Sequence, residues 1–201
     1  MKAFAFSALL GFASLGLAAP AMAADEGPAT ATIAQAAAAL APNRFVWADP
    51  QMAAVDPVTQ PVTVVVSLPM QRAYVYRGEA MIAAASVSTG KDGKDTPTGT
   101  FPILQKREMH RSNLYNDAAM PFMQRLTWDG VALHAGNNPG FPDSHGCIRL
   151  PAVFAKKLFS ITSVGTNVIV TDQMVGDHFD PSLLETEASQ ANQAQLASLT
   201  R

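Results

Sequence analysis

From Pro61 onward the chain is built of short apolar bursts divided by turn residues. PVTVVVSL (61–68) is β-branched and compact, RAYVYR (72–77) alternates, Gly78-Glu79 interrupts, and AMIAAASVS (80–88) resumes the pattern. Period-two runs of this length predict three strands joined by tight turns. A polar loop over 90–95 leads to Thr96-Pro97-Thr98-Gly99 and a further strand from Thr100 to Gln105. Arg125–Trp128, Asp129-Gly130 and Val131–His134 then read as a hairpin with a two-residue Asp-Gly turn, a turn whose central residues both need positive φ. His134 would end the second strand of that hairpin. Val153, Phe154, Leu158 and Phe159 recur at helical spacing and predict a helix over 152–161, opened by Pro151 and stopped before Gly165. Asn167–Thr171 is the expected last strand. The fold class is mainly β, with one or two short helices.

The flanks lack this signal. Residues 24–42 are alanine-rich with few large side chains, so they can bury little surface to offset their ordering entropy. A loose helix over Thr32–Leu40 is compatible with so much alanine. The stretch to Gln60 is expected to be a tether or loosely docked arm, with Phe45, Val46 and Trp47 touching the domain. After Asp172 the chain turns polar, and nothing obliges that tail to pack, although a short helix from Pro181 is compatible with it. At the other end, Lys2, an apolar stretch and Ala21-Met22-Ala23 have the layout of a secretory signal peptide cleaved before Ala24. Gly11, Gly16 and Pro20 break the stretch, which falls short of the roughly 20 apolar residues of a membrane span. The expected organisation is a signal peptide over 1–23, an arm over 24–60, one domain over 61–172 and a tail over 173–201. The mature chain would be exported, with no transmembrane segment.

Charge narrows the partners. The formal net charge is −2, and losing Lys2 would make it −3. With no basic run, nucleic acid and anionic membrane surfaces are not expected partners. Export sharpens the meaning of the one cysteine, Cys147. In an oxidising compartment a thiol without an intrachain partner is a buried structural group, an intermolecular bridge or a reactive centre.

Cys147 stands in SHGCIRL (144–150), at a glycine turn ahead of a helix. Backbone N–H groups at such a turn can lower a thiol's pKa and can hold an oxyanion. A free thiol, with a pKa of about 8.5, is only a few per cent thiolate at neutral pH, so a neighbouring imidazole would be needed to take its proton. His145 and His134 are both candidates. Spacing favours His134, because the Gly-, Pro- and Asn-rich AGNNPGFPDS (135–144) can fold back from a strand end to the thiol. Arg149, two residues past the sulfur, could clamp a carboxylate bidentately. Two alternatives remain: a buried, inert cysteine, and a zinc site drawn from His134, His145, Cys147 and His110, although the paired Cys-x-x-Cys or His-Glu-x-x-His spacing is absent.

These residues resemble the L,D-transpeptidase family, also called the YkuD or ErfK/YbiS/YcfS/YnhG family. Its signature is a histidine, a loop, and Ser/Thr-His-Gly-Cys followed by a hydrophobic residue and Asn or Arg. Here these are His134, the loop to Asp143, and Ser144-His145-Gly146-Cys147-Ile148-Arg149. SVSTGKDGKDTPTGTFPI (86–103) is similar to the family's Thr-Pro-x-Gly stretch, and MPFMQRLTWDGVALHAG (120–136) to the approach to its histidine. The loop between His134 and Ser144 is shorter than in many members. The resemblance covers about 61–172 and implies a YkuD-like β-sandwich acting on peptidoglycan stem peptides. It implies Cys147 as nucleophile, His134 as proton acceptor and donor, and the Gly146 and Cys147 amides as oxyanion hole. Ser144, His145 and Arg149 would line the substrate site. No cofactor or metal is implied. The acyl acceptor could be a neighbouring stem amine, giving a cross-link between two diaminopimelates in the periplasm. Water, a D-amino acid or a lipoprotein are the other acceptors; a wall-binding module without catalysis is the non-enzymatic alternative.

Overall fold

A computed structural model of the protein describes residues 32–48, 60–112 and 117–176. The expected signal peptide and the possible helix from Pro181 lie outside the described residues. The strands are β1 (Phe45–Trp47), β2 (Val62–Ser67), β3 (Arg72–Arg77), β4 (Ala80–Ser86), β5 (Gly99–Pro102), β6 (Gln105–Arg107), β7 (Met123–Arg125), β8 (Ala132–Ala135), β9 (Ile148–Leu150) and β10 (Asn167–Thr171); the helices are α1 (Ile33–Ala38) and α2 (Ala152–Ile161). They form a six-stranded sheet in the order β1-β4-β3-β2-β10-β5 and a four-stranded sheet in the order β6-β7-β8-β9. Pairing is antiparallel except for β2 with β10 and β8 with β9.

The main core draws on both sheets and α2. Val64, Val66, Val75, Leu133, Ile148, Leu150, Phe154, Leu158 and Val168 belong to one buried cluster. The intervening residues of the large sheet, Val65, Tyr74, Tyr76 and Ile169, form a second cluster on its opposite face with Ala37 and Val175. Burial on both faces explains why 62–67 is a continuous β-branched run rather than an alternation.

Several expectations shift in detail. The residues 100–105 do not make one strand: β5 ends at Pro102, and β6 begins at Gln105 in the other sheet. The hairpin is present, yet its turn spans Thr127 to Gly130, closed by the Gly130 N–H on Thr127 O at 3.3 Å. Only Gly130 takes positive φ, at 110°, so the Asp-Gly pair is not a two-residue turn. In α2, Phe154, Ala155 and Leu158 are buried, whereas Val153 faces solvent.

The described part of the arm is more than a tether. Thr32 and Gln35 form a reciprocal capping box that starts α1. Arg72 Nε donates to Ala37 O at 3.1 Å, and Nη2 reaches Leu40 O at 2.5 Å, fastening the end of that helix to β3. β1 pairs with β4 as an edge strand. The domain also extends past Asp172, since Val175 is buried and Ser67 Oγ donates to Gln173 O at 2.7 Å. Among the described residues no helix is long and apolar enough to cross a membrane.

Candidate active site

The strand register brings the sequence motifs together. Arg125 of β7 pairs with Ala132 of β8, and Leu133 pairs with Ile148 of β9. Cys147, one residue before Ile148, therefore stands level with Ala132, whose backbone N–H faces its sulfur. His134 lies two residues along β8 and pairs with Arg149. Side chains two apart on a strand share a face. Arg125, Ala132, His134, Cys147 and Arg149 thus occupy one face of the small sheet, while Leu133 and Ile148 enter the core. All five open into a cleft of about 820 Å³. The imidazole and the thiol are diagonal neighbours on adjacent strands.

The loop carrying the thiol is pinned on one flank by 88–96. The Asp143 and Ser144 amides donate to Thr89 O at 3.1 and 2.9 Å, and Ser88 and Arg149 exchange backbone hydrogen bonds of 3.1 and 2.9 Å. Thr96 Oγ1 accepts from the Gly90 N–H at 2.9 Å and donates to Gly146 O at 2.8 Å. That hydroxyl gives the Thr-Pro-x-Gly stretch its structural purpose: it ties one sequence block to the backbone just before the sulfur. Gly146 has φ +112°, a conformation that other residues adopt only with strain. At Gly136 the requirement is space, since a Cβ there would lie 3.2 Å from Arg149 Cγ and 3.3 Å from His134 Cε1.

His134 is buried, and its Nδ1 lies 2.8 Å from Ala135 O. A carbonyl only accepts, so Nδ1 carries the proton and the neutral ring keeps Nε2 as a base. Burial lowers the His134 pKa; the bond to Ala135 O opposes this, and Arg149 and His110 add to it. Burial raises the Cys147 pKa, against the lowering influence of the Ala132 amide, Arg149 and Arg125. Desolvation outweighs the amide and the cations. The resting pair is neutral thiol and neutral imidazole. Cys147 Sγ donates to Gly130 O at 3.4 Å, and no direct hydrogen bond joins it to His134. The sulfur is half-buried, with Met120, Met123 and Ala132 packed beside it.

The other expected site residues divide. Arg149 lines the cleft, and its Nη1 is held 3.0 Å from Asp143 Oδ2. His145 is exposed on the rim. Ser144 is buried; its hydroxyl donates to Cys147 O at 2.6 Å and accepts from the Gly146 N–H at 3.1 Å. Ser144 lines the cleft, and its hydroxyl shapes the thiol loop. The same bond engages the Gly146 amide, so in this structure that amide is not a free oxyanion donor. Among the described residues no three His, Cys, Asp or Glu side chains group to hold a metal ion. Sequence reasoning missed Arg125, Thr96 and Asp143 as parts of the site, because only strand register and loop closure bring them there.

A sequence model described as the YkuD L,D-transpeptidase catalytic domain matches residues 61–170. No curated protein matches the chain. Among solved structures, an L,D-transpeptidase from Stackebrandtia nassauensis is 28% identical with a TM-score of 0.52, over 56% of this chain and 56% of that one. One from Mycobacterium smegmatis is 25% identical with a TM-score of 0.52, over 56% and 59%. L,D-transpeptidase 3 from Mycobacterium tuberculosis, in complex with a faropenem-derived adduct, shares the fold at 20% identity and a TM-score of 0.51, over 56% and 60%. The chain spans less than two thirds of the length of these relatives. With the histidine strand, the thiol loop and the Thr96 tie all inside the matched 61–170, the chain belongs to the YkuD family of L,D-transpeptidase catalytic domains.

Proposed function

We propose that this protein is an exported, periplasmic L,D-transpeptidase that acts on peptidoglycan tetrapeptide stems and forms cross-links between two diaminopimelates. One observation carries the reading: Cys147 and a His134 whose tautomer leaves Nε2 basic share one face of β8–β9 and open onto one cleft. In this reading the thiol turns from Gly130 O, and Nε2 takes its proton as Sγ attacks the carbonyl of the diaminopimelate L-centre. Transfer during attack suits a pair that is neutral at rest. The S–C bond forms, the carbonyl electrons move to oxygen, and the Cys147 amide stabilises that oxyanion. The Gly146 amide joins it only by leaving Ser144 Oγ. The tetrahedral centre collapses, the C–N bond breaks, and His134 returns the proton to the departing D-alanine amine. An acceptor amine then attacks the thioester and loses a proton to Nε2, and the thiol is restored. The energy of the new amide comes from the amide broken, so no nucleotide is consumed.

Incubating the mature chain with tetrapeptide muropeptides should give an acyl-enzyme mass on Cys147 and products linked through two diaminopimelates. Cys147→Ser should lose both, with turnover down by about 10⁴-fold or more. Faropenem provides an independent acylating probe of the thiol. A folded protein whose sulfur gains no mass from either reagent would overturn the reading. Products that are only trimmed or exchanged stems would instead identify water or a D-amino acid as the acceptor.

A further inference from the structure

The cleft is cationic in a chain of net charge −2, since Arg125 and Arg149 both line it and, among the described residues, no Asp or Glu does. The two guanidiniums are not equivalent. Arg149 is paired with Asp143. Arg125 Nε donates at 3.2 Å to the neutral Gln105 Oε1, its Cζ lies 5.8 Å from the centroid of the exposed Trp128 ring, and among the described residues no carboxylate pairs with it. A half-buried guanidinium beside an aromatic ring and left without a counter-ion is suited to bind a carboxylate in two-pronged fashion.

Its position selects which carboxylate. Arg125, Ala132 and Cys147 form one row across three neighbouring strands, so the arginine and cysteine backbones stand about two strand spacings, or roughly 9–10 Å, apart. The residue between them in that row is Ala132, whose buried methyl group lines the cleft beside Met120 and Met123. A carbonyl under attack at the sulfur has the carboxylate of the next residue three bonds further on, under about 4 Å away. A C-terminal residue thus fits the gap with its carboxylate turned to Arg125. The second carboxylate of diaminopimelate is a poorer match, because its carbon stands six bonds from the carbonyl under attack and an ammonium sits on the adjacent carbon.

We infer that Arg125 is a specificity-determining residue that binds the free carboxylate of the departing C-terminal residue, so that the enzyme reads the end of the donor stem. This rests on the transpeptidase reading and deepens it. Arg149, already paired with Asp143, has a different task.

The test compares two synthetic tetrapeptide stems, one ending in D-alanine and one in D-alaninamide, by the kcat/KM for release of the terminal amine. The intact protein should prefer the free acid by about 10- to 100-fold, the range of a charge-assisted pair. In Arg125→Gln the ratio should fall toward one, mainly through loss on the acid substrate, and Arg125→Lys should restore part of it. Acylation of Cys147 by faropenem in each variant reports that fold and thiol are intact. An intact protein with a ratio near one would overturn the inference. So would a ratio that survives in Arg125→Gln, or one that collapses in Arg149→Gln instead. If the folded, faropenem-reactive protein released neither amine, the transpeptidase reading itself would fail, and this inference with it.

Discussion

The two sheets share a core but treat their outer faces in opposite ways. The outer face of the six-stranded sheet is sealed: Val65, Tyr74, Tyr76 and Ile169 lie under Ala37 of α1 and Val175. The outer face of the four-stranded sheet carries Arg125, Ala132, His134, Cys147 and Arg149 and opens into the cleft. The difference is legible in composition. The sealed strand β2 reads as a near-continuous apolar run, whereas the open β8 alternates core with site residues, as in Leu133-His134. A β-domain places its chemistry where a face is left uncovered and its stability where none is.

Three measurements can break or sharpen that contrast. The largest effect is expected on the open face. His134→Gln should lower kcat by about 10²–10⁴-fold, the usual contribution of a positioned general base, while the denaturation midpoint near neutral pH moves little. A variant that unfolds instead would mean the imidazole is structural. Next, on the large sheet, Ile82→Ala should cost about 2–5 kcal/mol in urea titrations and leave kcat per folded molecule unchanged. A fall in kcat would show that the two sheets are coupled. The smallest effect concerns pH. The folded-state pKa of His134 is lowered by burial, so the ring stays neutral and competent to below 6.5, the unperturbed value. The acid limb of kcat/KM should therefore lie below 6.5. The unfolded chain binds that proton more readily than the folded one, so the stability tied to the neutral ring is complete above 6.5 and declines as pH drops toward the folded-state pKa. Urea titrations near pH 7.5 and pH 5 should show this slope in the intact protein and a shallower one in His134→Gln.

The elements with a strong period were legible in the sequence. Residues 62–67, 72–77, 80–86, 152–161 and 167–171 all lie where pattern alone puts them, because each buries a continuous face. The arm was legible in part: the helix falls within 32–40 and Phe45–Trp47 meet the domain, but Ala37 is too small to announce itself as core, and the backbone carbonyls that Arg72 grips carry no sequence signal. The Asp-Gly pair was misread, since Thr127 Oγ1 accepts from the Val131 N–H at 3.2 Å and helps set a longer turn. At the site, His134 and Cys147 were visible because their residue types are rare and their motif specific. The raised thiol pKa was hidden, since it depends on how deeply Met120 and Met123 bury the sulfur, and that is a product of packing.

The arm touches the catalytic loop as well as the sheet. Arg44 O accepts from the Ser86 amide at 2.9 Å, Asn138 Nδ2 bonds Ser86 O at 2.7 Å, and a side chain at Gly140 would collide with Pro42. A protein trimmed to the family boundary at residue 61 would lose that brace and bare the edge of β4, leaving unpaired backbone ready to zip onto another molecule. For anyone crystallising or engineering this protein, residues 32–48, ahead of the family boundary, belong to the working domain.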